Sequence, residues 1–177
     1  MFGEKAPVWQ FLNRFGGPAD PFEPVEGTRV IETYPVLVMI ALGWMLPDSR
    51  PKGRLPKYNP ERRPPFSISD WQHVCKRVLD EVNERGLAGL ASWLHGISES
   101  HHPSKSDQDE LDACICLLVA LYMIECRKCL VVGSRKWGYM VVPYGEDLYW
   151  ELCARCRKTG REPTEWVRSI ELASRQN

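Results

Sequence analysis

Ser106-Asp107-Gln108-Asp109-Glu110-Leu111-Asp112 runs without a break into Ala113 to Ile124, a stretch with no charged residue. Leu111, Ile115, Leu118 and Tyr122 recur at helical spacing, and Cys114, Leu117 and Leu121 form a second apolar row. No Gly or Pro interrupts from Lys105 to Leu130, so the pattern predicts one long helix. Because 113 to 124 is apolar on every side, that helix is expected to be covered on several faces by the rest of the protein. It is too short to cross a bilayer, which takes roughly 20 apolar residues. Ser106 is placed as N-cap, with Asp109 where a capping box puts an acid. Acids in a first turn are also favoured by the helix dipole.

The same acids allow a second reading. Asp109 and Asp112 are i, i+3 neighbours, so their carboxylates leave one face at the mouth of the helix. Two carboxylates that close repel unless a cation or a proton lies between them. Mg²⁺ or Mn²⁺ would suit, as a hard cation that takes oxygen ligands and leaves positions for substrate phosphates. Caps and metal ligands both remain open at this point.

Composition sets the frame. The 177 residues are 44% hydrophobic, enough for one domain with a real core. Lys plus Arg equals Asp plus Glu at 23 each, so nucleic-acid binding has to come from a local patch and no membrane is indicated. Glu4, Lys5 and the lack of an apolar run before Pro7 give no secretory signal, and a cytoplasmic location is expected. The cysteines number 7, an odd count that reads as thiols or metal ligands and not as a disulfide framework.

Around the central helix the chain divides as follows. Residues 1–27 hold a short helix over 7–15 and a linker; 28–34 (Thr-Arg-Val-Ile-Glu-Thr-Tyr) reads as a strand ended by Pro35, with a helix over 36–44 directly behind it. A strand feeding a helix is half of a βαβ unit, whose strand ends bind ligands. Glu32 lies near that end, either facing solvent or facing a partner. Between Pro47 and Pro65, the residues Arg50, Lys52, Arg54, Lys57, Arg62 and Arg63 outnumber Asp48 and Glu61. This is the one local excess of positive charge. Lys57, Arg62 and Arg63 around Tyr58 could follow a phosphate backbone and stack a base, although a solvated loop fits the same letters.

Residues 67–85 form an amphipathic helix with Trp71, Val74, Cys75, Val78, Leu79 and Val82 on one face and Ser69 with Gln72 as a capping box. A helix over 87–97 follows, with His95, His101 and His102 near its end as loop residues or acid–base groups. Residues 130–133 and 138–142 predict a β-hairpin, 146–158 a helix, and 164–174 a terminal helix, so that 146–177 is helical.

Cys126-Arg-Lys-Cys129 and Cys153-Ala-Arg-Cys156 are two CxxC pairs, an arrangement able to hold Zn²⁺ with four thiolates. The alternative is buried free thiols, since Cys114 and Cys116 already serve as small apolar residues.

The order of these motifs resembles a family of predicted nucleases of ribonuclease-H-like fold, catalogued as domain of unknown function 429. The residues that carry it are Ile31-Glu-Thr-Tyr-Pro, Pro56-Lys-Tyr-Asn-Pro-Glu-Arg-Arg, the Trp71 helix, Asp109-Glu-Leu-Asp-Ala and Gly138-Tyr-Met-Val-Val-Pro. Asp109-x-x-Asp112-Ala113 also looks like the last catalytic helix of RuvC-type resolvases. The resemblance covers residues 28–145 and implies a helix-rich α/β chain, a partial RNase H-like fold without its first three strands, extended by the hairpin and C-terminal helices. It implies hydrolysis of nucleic-acid phosphodiesters by two cations about 4 Å apart. Glu32, Asp109 and Asp112 would be their ligands and Asp107 an outer partner. The family's first-strand Asp has no counterpart here. The chain would then be a fragment, a shortened relative, or one whose missing strands come from a partner or a second copy. A non-catalytic module that binds nucleic acid or protein, with or without zinc, is the alternative.

Overall fold

The computed structural model describes residues 10, 13–15, 22, 30–62, 64–134 and 137–171. Most of the helix expected over 7–15, residues 28–29, Arg63 and the end of the expected terminal helix lie outside them. The fold is mixed α/β and helix-rich. Its elements are α1 (Pro35–Ala41), α2 (Ile68–Glu84), α3 (Ala88–Ser98), α4 (Lys105–Ile124), β1 (Cys129–Ser134), β2 (Gly138–Pro143), α5 (Glu146–Lys158), the single turn α6 (Pro163–Trp166) and β3 (Val167–Ile170).

The acidic stretch does open a long helix, but two residues earlier than its pattern suggests. Ser104 is the N-cap, and Asp107 closes the box: the Ser104 amide donates to Asp107 Oδ2 at 2.7 Å and the Asp107 amide to Ser104 Oγ at 3.2 Å. Ser104/Asp107 and Ser106/Asp109 have the same spacing, so letters alone could not choose between them. With the cap at Ser104, Asp109 is released from capping. Capping moves in the same way at α2, where Ser67 and not Ser69 accepts from the Asp70 amide.

Leu111, Ile115, Leu118 and Tyr122 are buried as the spacing predicts. The helix is not covered all round, however. Leu117 is 44% and Ile124 76% exposed, and Ala113 is exposed with them on the outer face. The helix stops at Ile124 although no Gly or Pro is present. Cys126 takes φ 55°, the Arg127 amide returns to the Tyr122 carbonyl at 2.9 Å and the Cys126 amide to Met123 at 3.1 Å. That is a Schellman termination with cysteine where glycine is usual.

The amphipathic faces of α2 and α4 meet around Trp71, Val74, Val78, Leu111 and Ile115, all fully buried. The Trp71 indole donates to the Ile97 carbonyl at 3.1 Å and fastens the end of α3 to α2. β1 and β2 form the expected hairpin, with Cys129 opposite Pro143 and Val131 opposite Val141.

Two expectations change. The chain end is a strand: after one turn, β3 lies antiparallel to β1, Cys129 facing Ile170 and Val132 facing Val167. The edge of β1 would otherwise carry unpaired backbone groups, which β3 satisfies, and a helical pattern in 164–174 cannot show this. The sheet is therefore antiparallel with order β2-β1-β3. Residues 30–34, expected as part of a strand, form no named strand. They pass β2 with one backbone bond, Val141 amide to Glu32 carbonyl at 2.8 Å.

Candidate functional site

The proline-rich basic segment is tied to the fold at several points. Leu46 and Arg54 exchange backbone bonds at 2.9 and 2.8 Å, closing a turn in which Gly53 has φ 70°; a Cβ there would stand 2.4 Å from the Leu46 carbonyl oxygen. Asp70, at the start of α2 and only 2% exposed, accepts from the two terminal guanidinium nitrogens of Arg54 and from the Lys57 amide, the last at 2.6 Å. The Arg54 guanidinium, with the Lys57 amide assisting, holds the Asp70 carboxyl below the usual range. The Ser67 amide returns to the Lys57 carbonyl at 2.9 Å. One buried acid thus fixes the path of residues 54–57.

Tyr58 is then directed inward. Its ring is 6% exposed and its hydroxyl donates to Asp112 Oδ1 at 2.6 Å. This differs from the expectation of an exposed base-stacking residue: the side chain has little free surface and its hydroxyl positions Asp112. Burial, then the Asp112 bond, pushes the Tyr58 phenol far up. Asp112 Oδ2 accepts from Gln108 Nε2 at 2.7 Å, and Gln108 Oε1 accepts from the Lys105 ammonium at 2.8 Å. Lys105 also pairs with Asp109. Asp109, Lys105, Gln108, Asp112 and Tyr58 form one continuous chain of hydrogen bonds. Burial outweighs the donors, and the Asp112 carboxyl lies above its ordinary value.

Gln108, Asp112 and Tyr58 border a groove of about 390 Å³ between loop 55–66, the start of α1 and the first turns of α4. Tyr34, Lys57, Asn59, Arg62, Gln108 and Asp112 line it, over an apolar floor that includes Met39 and Phe66. Arg50 pairs with Asp48, Lys52 with Glu151 and Arg54 with Asp70. Lys57 and Arg62 are exposed, and among the described residues neither has a carboxylate partner. The half-exposed aromatic ring on this groove is Tyr34, at 50%. Sequence reasoning set it down as the last residue of a strand. Tyr34, Asn59 and Gln108 are groove residues that the sequence does not mark as candidates; the signal for Tyr34 is an aromatic directly before Pro35.

Of the residues proposed to hold Mg²⁺ or Mn²⁺, the structure brings only Asp112 into the groove. Asp109 is exposed and turned to Lys105, so the positive charge beside it is already supplied by the protein. Glu32 is exposed beside β2. Among the described residues no three His, Cys, Asp or Glu side chains are grouped to hold a metal ion. A two-cation centre needs several carboxylates to converge, and of the three named here only Asp112 lines the groove.

The cysteines follow the same rule. Cys126, Cys129, Cys153 and Cys156 are free thiols that do not gather into a four-ligand set. Cys129 is buried in β1, its Sγ 3.6 Å from the Arg127 carbonyl, and burial pushes its thiol up to about 11. Among the described residues no helix is long and apolar enough to cross a membrane. Comparisons with protein-family models, curated proteins and solved structures find no match to this chain.

Proposed function

We propose that this chain is a nucleic-acid-binding module whose contact surface is the groove beside Asp112. The observation that carries the reading is a pair of exposed cations with no carboxylate partner among the described residues, Lys57 and Arg62, on one groove with the half-exposed ring of Tyr34. Two cations at the rim attract a phosphate backbone, an aromatic face stacks a base, and polar groups at the wall meet base edges. The loop presenting them is fastened through Asp70 and Tyr58, so little ordering is left for the moment of binding. Single-stranded nucleic acid is the form that exposes bases to such a groove.

The metal-dependent nuclease reading, with its partial RNase H-like fold, rests on the order of sequence motifs. It asks Glu32, Asp109 and Asp112 to converge on cations, and the pairing of Asp109 with Lys105 favours binding without cleavage.

Fluorescence anisotropy of the full chain with short labelled single strands, repeated over a range of salt, tests the proposal. Binding should weaken linearly in log salt, and Lys57→Ala and Arg62→Ala should each lower the slope by about 0.7–1. Affinity that neither substitution changes would overturn it. Strand scission on adding Mg²⁺ or Mn²⁺, lost in Asp112→Asn, would establish the nuclease instead.

A further inference from the structure

We infer that the groove selects guanine, with Asp112 accepting from the two adjacent N–H groups of the guanine base edge; this rests on the nucleic-acid reading above. Each Asp112 oxygen receives one protein donor, Oδ1 from Tyr58 and Oδ2 from Gln108. A carboxylate oxygen has two acceptor positions, so each retains one for a ligand. Asp112 lines the groove while its own geometry is fixed by two neighbours that have little surface of their own: Tyr58 and Gln108 are both 6% exposed, and Gln108 is itself held by Lys105. The wall therefore offers a rigid pair of acceptors side by side.

Guanine is the one standard base whose pairing edge places two donors next to each other, the ring N1–H and the exocyclic 2-amino group. Adenine and cytosine show one amino donor beside an acceptor, and uracil one N–H between two carbonyls. Against Asp112 each of these turns at least one lone pair toward a carboxylate oxygen. Guanine's third group is the O6 acceptor. On the same groove Asn59 uses its Oδ1 for the Glu61 amide at 3.0 Å, which leaves its side-chain NH₂ as a donor. Two acceptors on α4 and a donor on the loop across the groove match O6, N1–H and the 2-amino group in kind. Tyr34 supplies the stacking face and Lys57 and Arg62 the phosphate contacts.

The test uses the full chain and short oligouridines whose central position is guanine, inosine or adenine. Inosine keeps N1–H and O6 but lacks the 2-amino group. The expected order is guanine over inosine over adenine, with guanine favoured over adenine by about tenfold. In Asp112→Asn, which turns a donor toward N1–H, the three should bind within about twofold of one another. The comparison of bases within the wild-type chain needs no variant, so misfolding of Asp112→Asn cannot mask the result. Equal affinity for all three, with binding still salt-dependent and weakened by Lys57→Ala, would overturn guanine selection and leave the binding module standing. No binding to any of them would overturn both.

Discussion

The hydroxyl of Tyr58 donates to Oδ1 of Asp112 at 2.6 Å, joining the proline-rich loop to the first turns of α4 across 54 positions of sequence. Through this bond a residue with the pattern of a surface aromatic becomes part of the core, and a residue with the pattern of a metal ligand becomes half-buried and hydrogen-bonded. Tyr58→Phe keeps the ring and removes the donor. It should lower unfolding free energy by about 1–2 kcal/mol in urea titration, because a partly buried carboxylate loses one of its two donors. Unchanged stability would mean that water replaces the hydroxyl without loss.

Asp70 makes a larger contribution to the loop. Asp70→Ala leaves the part-buried Arg54 guanidinium and the Lys57 amide without their acceptor, and about 2–4 kcal/mol of stability should be lost. Nucleic-acid affinity should fall with it, since Lys57 and Arg62 are carried by the segment that Asp70 holds. A variant that is destabilised but binds normally would separate the groove from the loop anchor.

The two acids respond to pH in opposite directions. Asp70 has a folded pKa below its unfolded value, so it stabilises the protein above the ordinary carboxylate value of about 3.9. That contribution is lost as pH falls through the folded pKa. Asp112 has a folded pKa above its unfolded value, so its contribution is largest in acid and is lost as pH rises through the folded pKa. Urea titrations from acid toward neutral pH should show Asp112→Asn removing the decline on the rising side. Asp70→Asn should remove the gain. Parallel pH profiles for wild type and both variants would refute the assignment.

Cys126 gives a test in which free thiol and zinc ligand predict opposite signs. A non-glycine residue at φ 55° is strained, so Cys126→Gly should raise stability by about 0.5–1 kcal/mol, offset in part by the freer unfolded chain. Stoichiometric zinc in the purified protein, lost with that substitution together with stability, would restore the CxxC reading.

Much of the framework was legible because it is local. The hairpin, the helix over 146–158 and the buried row Leu111, Ile115, Leu118 and Tyr122 follow from periodicities of two and 3.6 residues that each segment carries in itself. Where two patterns were equivalent the letters misled: Ser104/Asp107 won over Ser106/Asp109 at α4, and Ser67 over Ser69 at α2. The end of α4 at Cys126 carried no signal, since cysteine is not a residue expected in the left-handed region.

The sequence by itself determined that a helix with acids in its first turns organises the core, that a hairpin and a helix follow it, and that one basic segment stands apart from a neutral composition. Only tertiary structure decided what the acids do. Whether a carboxylate caps, pairs, accepts or binds a cation depends on which donors stand a few ångströms away, and those come from remote segments: Tyr58 reaches Asp112, and Arg54 reaches Asp70. Lys105 lies one turn from Asp109, so that pair was readable in principle, but where Glu32 and Asp112 lie relative to it was not. The end of the chain was settled in the same way, because β1 had an open edge and a strand at Val167–Ile170 satisfies it.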